Sequence, residues 1–434
     1  MSSERFAAPE GGALATTRPT QDPLGGSSSK KPFPIGLLGH GTVGSAFAEL
    51  LGERAAHVQQ LTGRAPVLAG TLTRSQGSFE EILAESELVV ELLGGILPAR
   101  DYVLRAMRAG RHVVTANKQL LSQHGEELFA AASENGVQLR FEAAVAGVVP
   151  VVRVLSESLA GAHIERIHGI VNGTTNFILS EMEQGSSYHE ALAEAQLQGY
   201  AEADPSEDVS GKDAAAKMAI LARLAFGTPV RLDQVPYEGI EQLQADDLQY
   251  ARELGLGLKL IGTAERRDGG LSVRVHPAFL YAGHPLASVH GPFNAVTVES
   301  PAITEITMSG PGAGGVQTAS AVLGDVISVM RPPCAATRPL APLELVQDVS
   351  SSFYLHMEVA DRPGVLAEVA HVLGEHGASI KSVVQRGLGD NARLVMVIHP
   401  LAHSHLLDAI ERIGQLDFLR STPRAIRVIE EEFT

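Results

Sequence analysis

Apolar residues fall in short, separated runs along the first third of the chain. Positions 34–38 (PIGLL) form one run bounded by glycine, and 66–73 (PVLAGTLT), 88–93 (LVVELL) and 111–115 (RHVVT) form three more. Short runs without polar alternation are expected of strands covered on both faces, as in a parallel sheet. Stretches of helical character, 45–52 and 102–109, lie between them. This alternation predicts a doubly wound α/β domain.

The pattern changes near residue 149. Positions 164–172 (IERIHGIVN), 271–280 (LSVRVHPAFL) and 294–299 (NAVTVE) predict strands, and the alanine-rich 214–226 predicts a helix. This is a mixed α+β region with a sheet of its own. At 309–330 a glycine turn leads into a helix that is expected to return and pack on the first domain. Positions 331–350 carry Pro332, Pro333, Pro339 and Pro342 without periodicity, the mark of a linker. Beyond it, strand 353–359, helix 364–376, strands 379–385 and 393–398, helix 404–413 and strand 425–429 give the order βαββαβ of a compact ferredoxin-like unit. The expected domains are a disordered tail over 1–32, a dinucleotide-binding domain over 33–150 completed by 310–335, a second domain over 151–309, a linker over 336–352 and a small domain over 353–434.

Composition narrows the class. The 434 residues are 44% hydrophobic and 19% charged, which is globular. The net charge of −16 is spread along the chain, which argues against nucleic acid or an anionic membrane as partner. The single cysteine, Cys334, cannot form an intrachain disulfide and reads as a bystander in the linker. No run approaches the roughly 20 apolar residues of a membrane span, and the first 32 residues lack a signal-peptide core. A cytoplasmic protein is expected.

Gly39-His40-Gly41-Thr42-Val43-Gly44 matches G-x-G-x-x-G directly after a predicted strand and at the start of a helix. Glycines there allow a tight turn and let a pyrophosphate sit against the helix N-terminus. Gly39, Gly41, Thr42, Val43 and Gly44 are therefore candidate cofactor contacts; the plain alternative is a tight turn without ligand. The second strand ends in Thr71-Leu72-Thr73-Arg74, where an acidic residue would select NAD. Arg74 suits a 2′-phosphate, so NADP is expected, with NAD possible. Gly94 at the end of the third strand and Lys118 at the end of the fourth face the same crevice, and Gly312 and Gly314 open the returning helix.

Carboxylates crowd into 199–217 (GYAEADPSEDVSGKDAAAK), a stretch punctuated by Gly and Pro that leads into a helix. Asp213 and Lys217 stand at i,i+4, on one helix face with the acid N-terminal to the base. Such a lysine could relay a proton to a substrate oxygen during hydride transfer; the same spacing is also common on solvated helix surfaces.

This segment resembles the signature of homoserine dehydrogenases, a glycine-aromatic-x-glutamate-x-aspartate-proline run ending in aspartate and lysine. The likeness continues, in order, through the glycine loop, 115–118, 141–150 (FEAAVAGVVP), 169–179 (GIVNGTTNFIL) and 310–325. The resemblance implies reversible reduction of aspartate β-semialdehyde to homoserine. Lys217 and Lys118 match the family's catalytic lysines, with Lys217 as proton donor, and Asp213 matches its orienting carboxylate. Glu202 and Asp208 match acidic positions at the homoserine site, and Gly173, Thr174 and Tyr200 match positions shaping the amino-acid pocket. In 141–150, which the residues alone read as a buried strand and turn, the resemblance implies a monovalent-cation loop, normally for sodium. Glu142 would supply a carboxylate, and Val145, Gly147 and Val149 backbone carbonyls.

The turn holding Asp361, Pro363 and Gly364 resembles that of ACT domains, with the proline expected in the first helical turn. It implies feedback control by threonine, against the alternative of a purely structural dimerisation domain. A homodimer or homotetramer is expected. The length leaves no room for an N-terminal kinase, so a monofunctional enzyme is expected. A related amino-acid dehydrogenase and a catalytically silent dinucleotide sensor are the competing readings.

Overall fold

A computed structural model describes residues 31–331, 343–386 and 392–429. Residues 1–30, Cys334 and the prolines of 332–342 lie outside the described residues, so the expected tail and most of the linker do too.

The first sheet is parallel, with strands β1 (Phe33–Leu38), β2 (Pro66–Leu72), β3 (Leu88–Glu91), β4 (His112–Thr115) and β5 (Leu139–Arg140) in the order β2-β1-β3-β4-β5. Alternate residues of each strand go to opposite faces. Ile35, Leu37, Leu88, Val90 and Val114 pack on Phe47 and Leu51 of the helix Thr42–Thr62 and on Ala319, Val322 and Val326 of the helix Gly315–Met330. Val89 and Val113 face the other way, into the core with Val103, Met107, Leu120 and Leu128. Burial on both faces explains the unbroken apolar runs. The helix from residue 315 thus closes one side of a sheet whose first strand began at residue 33.

The second sheet has nine strands. They are β6 (Arg166–Ile170), β7 (Leu256–Arg267), β8 (Gly270–Tyr281), β9 (Phe293–Ser300), β10 (Thr304–Pro311), β11 (Ser351–Val359), β12 (Ile380–Arg386), β13 (Ala392–Leu401) and β14 (Arg424–Ile429). Their order is β10-β9-β6-β7-β8-β14-β11-β13-β12. The last four belong to the C-terminal βαββαβ segment, whose sheet is continuous with that of the preceding region. β14 runs parallel to β8, pairing Arg427 with Ala278 and Ile429 with Leu280. Tyr354, Val395, Val397, Ile426 and Val428 enter the large core, and the Tyr354 and Phe279 rings meet at 5.0 Å. The opposite face packs on the helices Val365–Glu375 and His403–Gly414.

The structure corrects several local expectations. Residues 141–150 are no strand: a 3-10 turn, Glu142–Ala144, is followed by Ala146 and Gly147 with φ of 57° and 66°. Phe141, Val145 and Val149 are buried as their apolarity requires, but left-handed residues interrupt any ladder. The acidic stretch contains one helical turn, Ser206–Val209. Pro363 stands before the cap Gly364, so it lies ahead of the helix and not in its first turn. β7, β10 and the helices Lys118–Glu134, Gly173–Glu183 and Tyr188–Leu197 were not anticipated.

Candidate active site

The glycine loop divides its work three ways. Gly39 has φ +100°, and a Cβ there would come within 2.5 Å of Leu92 O. A Cβ at Gly44 would strike Gly39 O, so that glycine lets helix and strand pack closely. Gly41, the cap of the helix Thr42–Thr62, faces open space. A tight turn, a close helix and an open cap are what a pyrophosphate site needs. Thr42 and Val43 form the first turn of that helix. Gly315 packs against Thr42, which brings Gly314 and a second helix N-terminus to the same place.

At the end of β3 the buried Glu91 accepts hydrogen bonds from Leu93 N at 2.8 Å, Gly94 N at 3.3 Å and Thr115 Oγ1 at 2.6 Å. Burial pushes its carboxyl up, and these donors work against the shift. They pin a turn in which Gly94 and Gly95 both have positive φ. Asn117 fastens the same turn by donating to Gly95 O at 2.6 Å, and its side-chain oxygen caps the helix Lys118–Glu134.

Asp213 sits at the centre of the charged cluster. It is the second residue of the helix Lys212–Phe226 and is buried. One carboxylate oxygen takes Lys118 Nζ; the other takes Lys217 Nζ at 2.7 Å and Asn172 Nδ2 at 2.8 Å. Lys217 also donates to Val171 O at 2.8 Å. Burial alone would push the Asp213 carboxyl up, but Lys217 and Lys118 together hold it well below the usual carboxylate range. Burial pulls Lys118 down, and Asp213 outweighs it, so Lys118 stays an ammonium at neutral pH. Asp208 is pushed up by burial and by Asp213, against a hydrogen bond from Asn172 at 2.7 Å. Lys118 and Lys217 line one cavity of about 340 Å³ with Gly94, Gly95, Glu207, Gly312 and Ala313. Two ammonium groups beside a dinucleotide-type loop can stabilise, and protonate, an oxyanion formed by hydride addition.

Residues 150–327 match the family profile for homoserine dehydrogenase, 39–142 that for the homoserine dehydrogenase NAD binding domain, and 354–418 that for the ACT domain. A homoserine dehydrogenase of Corynebacterium glutamicum is 41% identical over 422 residues, covering 91% of this chain and 95% of its own. This chain belongs to the homoserine dehydrogenase family. The structure of a homoserine dehydrogenase from Thiobacillus denitrificans superposes with a TM-score of 0.86 at 37% identity, over 92% of this chain and 98% of the other. A hyperthermophilic archaeal homoserine dehydrogenase solved with NADPH matches 69% of this chain and 98% of its own length, with TM-score 0.60 and 28% identity. As a homoserine dehydrogenase, the protein is an NAD(P)-dependent oxidoreductase acting on a CH–OH group, here joined to an ACT domain.

The remaining expected residues of the homoserine dehydrogenase site are placed unevenly. Gly173 begins the helix Gly173–Glu183, and a Cβ there would lie 2.7 Å from Pro292 O. Thr174 spends its hydroxyl on Tyr200 O at 2.6 Å, and the Tyr200 ring rests on Phe177. Glu202 is exposed, and its carboxylate makes no hydrogen bond or ion pair among the described residues; the structure does not bring it into the cluster. Arg74 is exposed at the end of the turn after β2, likewise unpaired. Glu207, which the sequence reading passed over, lines the cavity and bonds to Gln119 at 3.1 Å and Lys212 at 2.9 Å.

In the 141–150 loop, both oxygens of the Glu142 carboxylate accept backbone N–H groups, from Val152 at 2.8 Å and Arg153 at 2.9 Å. The Glu142 carboxylate thereby clamps the next helical turn. Asp325 accepts Glu142 N at 2.8 Å, so two buried carboxylates lie side by side. Burial and then Asp325 push Glu142 up to about 7, and burial pushes Asp325 up to about 6. Arg153 stands 3.5 Å from Asp325 and offsets part of the negative charge; carboxylate and carbonyl oxygens are the donors a hard cation takes. No group of three or more His, Cys, Asp or Glu side chains is arranged for a metal among the described residues.

No helix among the described residues is long and apolar enough to cross a membrane. In the ACT segment, Gly364 has φ +98° and Asp361 accepts a hydrogen bond from Gln385 at 3.1 Å, bridging the turn to β12.

Proposed function

We propose that Lys217 is the proton donor and Lys118 the second cation of a homoserine dehydrogenase site in which Asp213 fixes both. The observation that carries this reading is Asp213 held between the two ammonium groups at the wall of the cavity. The cofactor, when bound, supplies or takes the hydride. In the reducing direction, Lys217 gives a proton to the oxygen formed at the aldehyde carbon of aspartate 4-semialdehyde, and the product is homoserine. Asp208 receives the substrate ammonium, and the first turn of the helix at Gly173 and Thr174 faces its carboxylate, the sign a helix N-terminus favours.

Gly39, Gly41, Thr42, Val43, Gly44, Gly312 and Gly314 hold the dinucleotide. Arg74 is free to meet a 2′-phosphate, which supports NADP over NAD. The Glu142 carboxylate and the carbonyls of Val145, Gly147 and Val149 form the cradle for a monovalent cation of the sodium type. The domains run over 33–150 with 310–335, 151–309 and 353–434, and the chain works as a homo-oligomer. Threonine is the effector, received at Asp361, Pro363 and Gly364.

The test follows NADPH absorbance with homoserine as reductant. K217A is expected to lose on the order of 10²–10⁴-fold in kcat, with NADP preferred over NAD and threonine inhibiting the wild type. Unchanged turnover in K217A would remove the proton-donor assignment, and indifference to threonine would leave the ACT segment structural.

A further inference from the structure

Asp208 and Asp213 share a single amide. Asn172 Nδ2 donates to Asp208 Oδ1 at 2.7 Å and to Asp213 Oδ2 at 2.8 Å, which uses both of its N–H groups. Its Oδ1 accepts Thr175 N at 2.8 Å and so caps the helix Gly173–Glu183. The residue is 4% exposed. A cap alone does not require asparagine, because aspartate and serine cap as well. What only the amide offers here is an acceptor for the helix and two donors for two acids.

Two carboxylates within reach of one nitrogen repel each other, and in a buried site that repulsion favours protonating one of them. The charged groups facing the pair are Lys118 from the helix Lys118–Glu134 and Lys217 from the helix that carries Asp213, while Glu207 acts on Lys118. Lysine charge falls mainly on Asp213, which both ammonium groups touch. Asp208 takes its side-chain hydrogen bond from Asn172.

We infer that Asn172 is a positioning residue of the reaction: its amide holds Asp208 and Asp213 together as carboxylates and so keeps Lys118 and Lys217 at the cavity. The preceding residue completes the arrangement, because Val171 O accepts Lys217 Nζ at 2.8 Å. The end of β6 therefore grips the lysine by its backbone and both acids by a side chain. This inference rests on the catalytic assignment of Asp213 and Lys217 made above.

The test compares N172D and N172S, both competent helix caps, by thermal midpoint and by the pH profile of kcat/KM for homoserine oxidation. N172D replaces the donor with a third carboxylate. It should lower the midpoint at neutral pH, where a third buried carboxylate joins the pair, lose on the order of 10²-fold in kcat/KM, and move the acid limb of the profile to higher pH. N172S exchanges the two amide N–H donors for one hydroxyl on a shorter side chain, adds no charge, and should move the same limb in the same direction by less. Wild-type rates and profiles in both variants would reduce Asn172 to a cap and overturn the inference. If N172D fails to fold, N172S decides alone. Silent Asn172 variants beside an inactive K217A would sink only this inference, whereas a fully active K217A would remove the assignment beneath it.

Discussion

Glu265 lies buried in β7 within reach of three guanidinium groups, Arg274 at 2.6 Å, Arg166 at 3.1 Å and Arg267 at 3.3 Å. Burial pushes its carboxyl up, yet the arginines, Arg274 foremost, bring it down to about 2. A carboxyl held below its unfolded value stabilises the fold at every pH above that unfolded value, near 4.5, and loses this contribution as pH falls towards 2. E265Q should therefore be less stable than wild type by about 3 kcal/mol at neutral pH. Denaturant titrations should find the gap closing between about pH 5 and pH 2; a gap constant over that range would refute it. At this scale the sequence was informative where partners are close in the chain. Asp213 and Lys217 could be paired from a spacing of one helical turn. Lys118 and Asn172 reach the same carboxylate from 95 and 41 positions away, and no local pattern records that. Lys118 came forward from its place at the end of the fourth strand, without its partner; Asn172 carried a cap-like signal, directly before Gly173, that went unread.

The helix that carries Asp213 begins at a constrained point. Gly211 has φ +84°, and a Cβ there would lie 2.8 Å from Glu238 O. Alanine at 211 would add left-handed strain of roughly 1–3 kcal/mol to that clash. Because Asp213 is two residues on, G211A should lower both the unfolding midpoint and kcat; unchanged values for both would show that the helix start tolerates a side chain. Elements with strong local patterns were legible: four of the five parallel strands, the helix 212–226 within two residues, and every element of the βαββαβ segment. β7 was not, and its reason is physical. Its glycines weaken the strand pattern, yet Gly262 is where Met218 of the helix Lys212–Phe226 crosses, and a Cβ there would occupy the space of that side chain. Close packing dictated the residue at the expense of strand propensity. The 141–150 loop failed in the opposite sense, since apolar burial was read correctly and backbone conformation was not.

Across the molecule, the nine-stranded sheet joins the ACT segment to the region carrying Asp213 and Lys217. Ion pairs cross the same boundary: Arg424 meets Asp247 at 3.0 Å and Arg393 meets Asp246 at 2.8 Å. With a shared ladder and apolar side chains from both sides in one core, residues 353–429 and the preceding region should melt together. Calorimetry should record one transition for the ACT segment and the second-sheet core; a separate early transition that leaves dehydrogenase activity intact would contradict this. The order βαββαβ was readable from the chain, but fusion of its sheet with a neighbour depends on edges that carry no compositional mark.

β14, the last described strand, lies in the interior of its sheet, between β8 and β11. A ribosome delivers it after every other described strand, so the Ala278–Leu280 edge of β8 must wait open while more than 140 further residues are made. The nascent protein therefore carries an unpaired, aggregation-prone border while the strands from β9 to β13 are made.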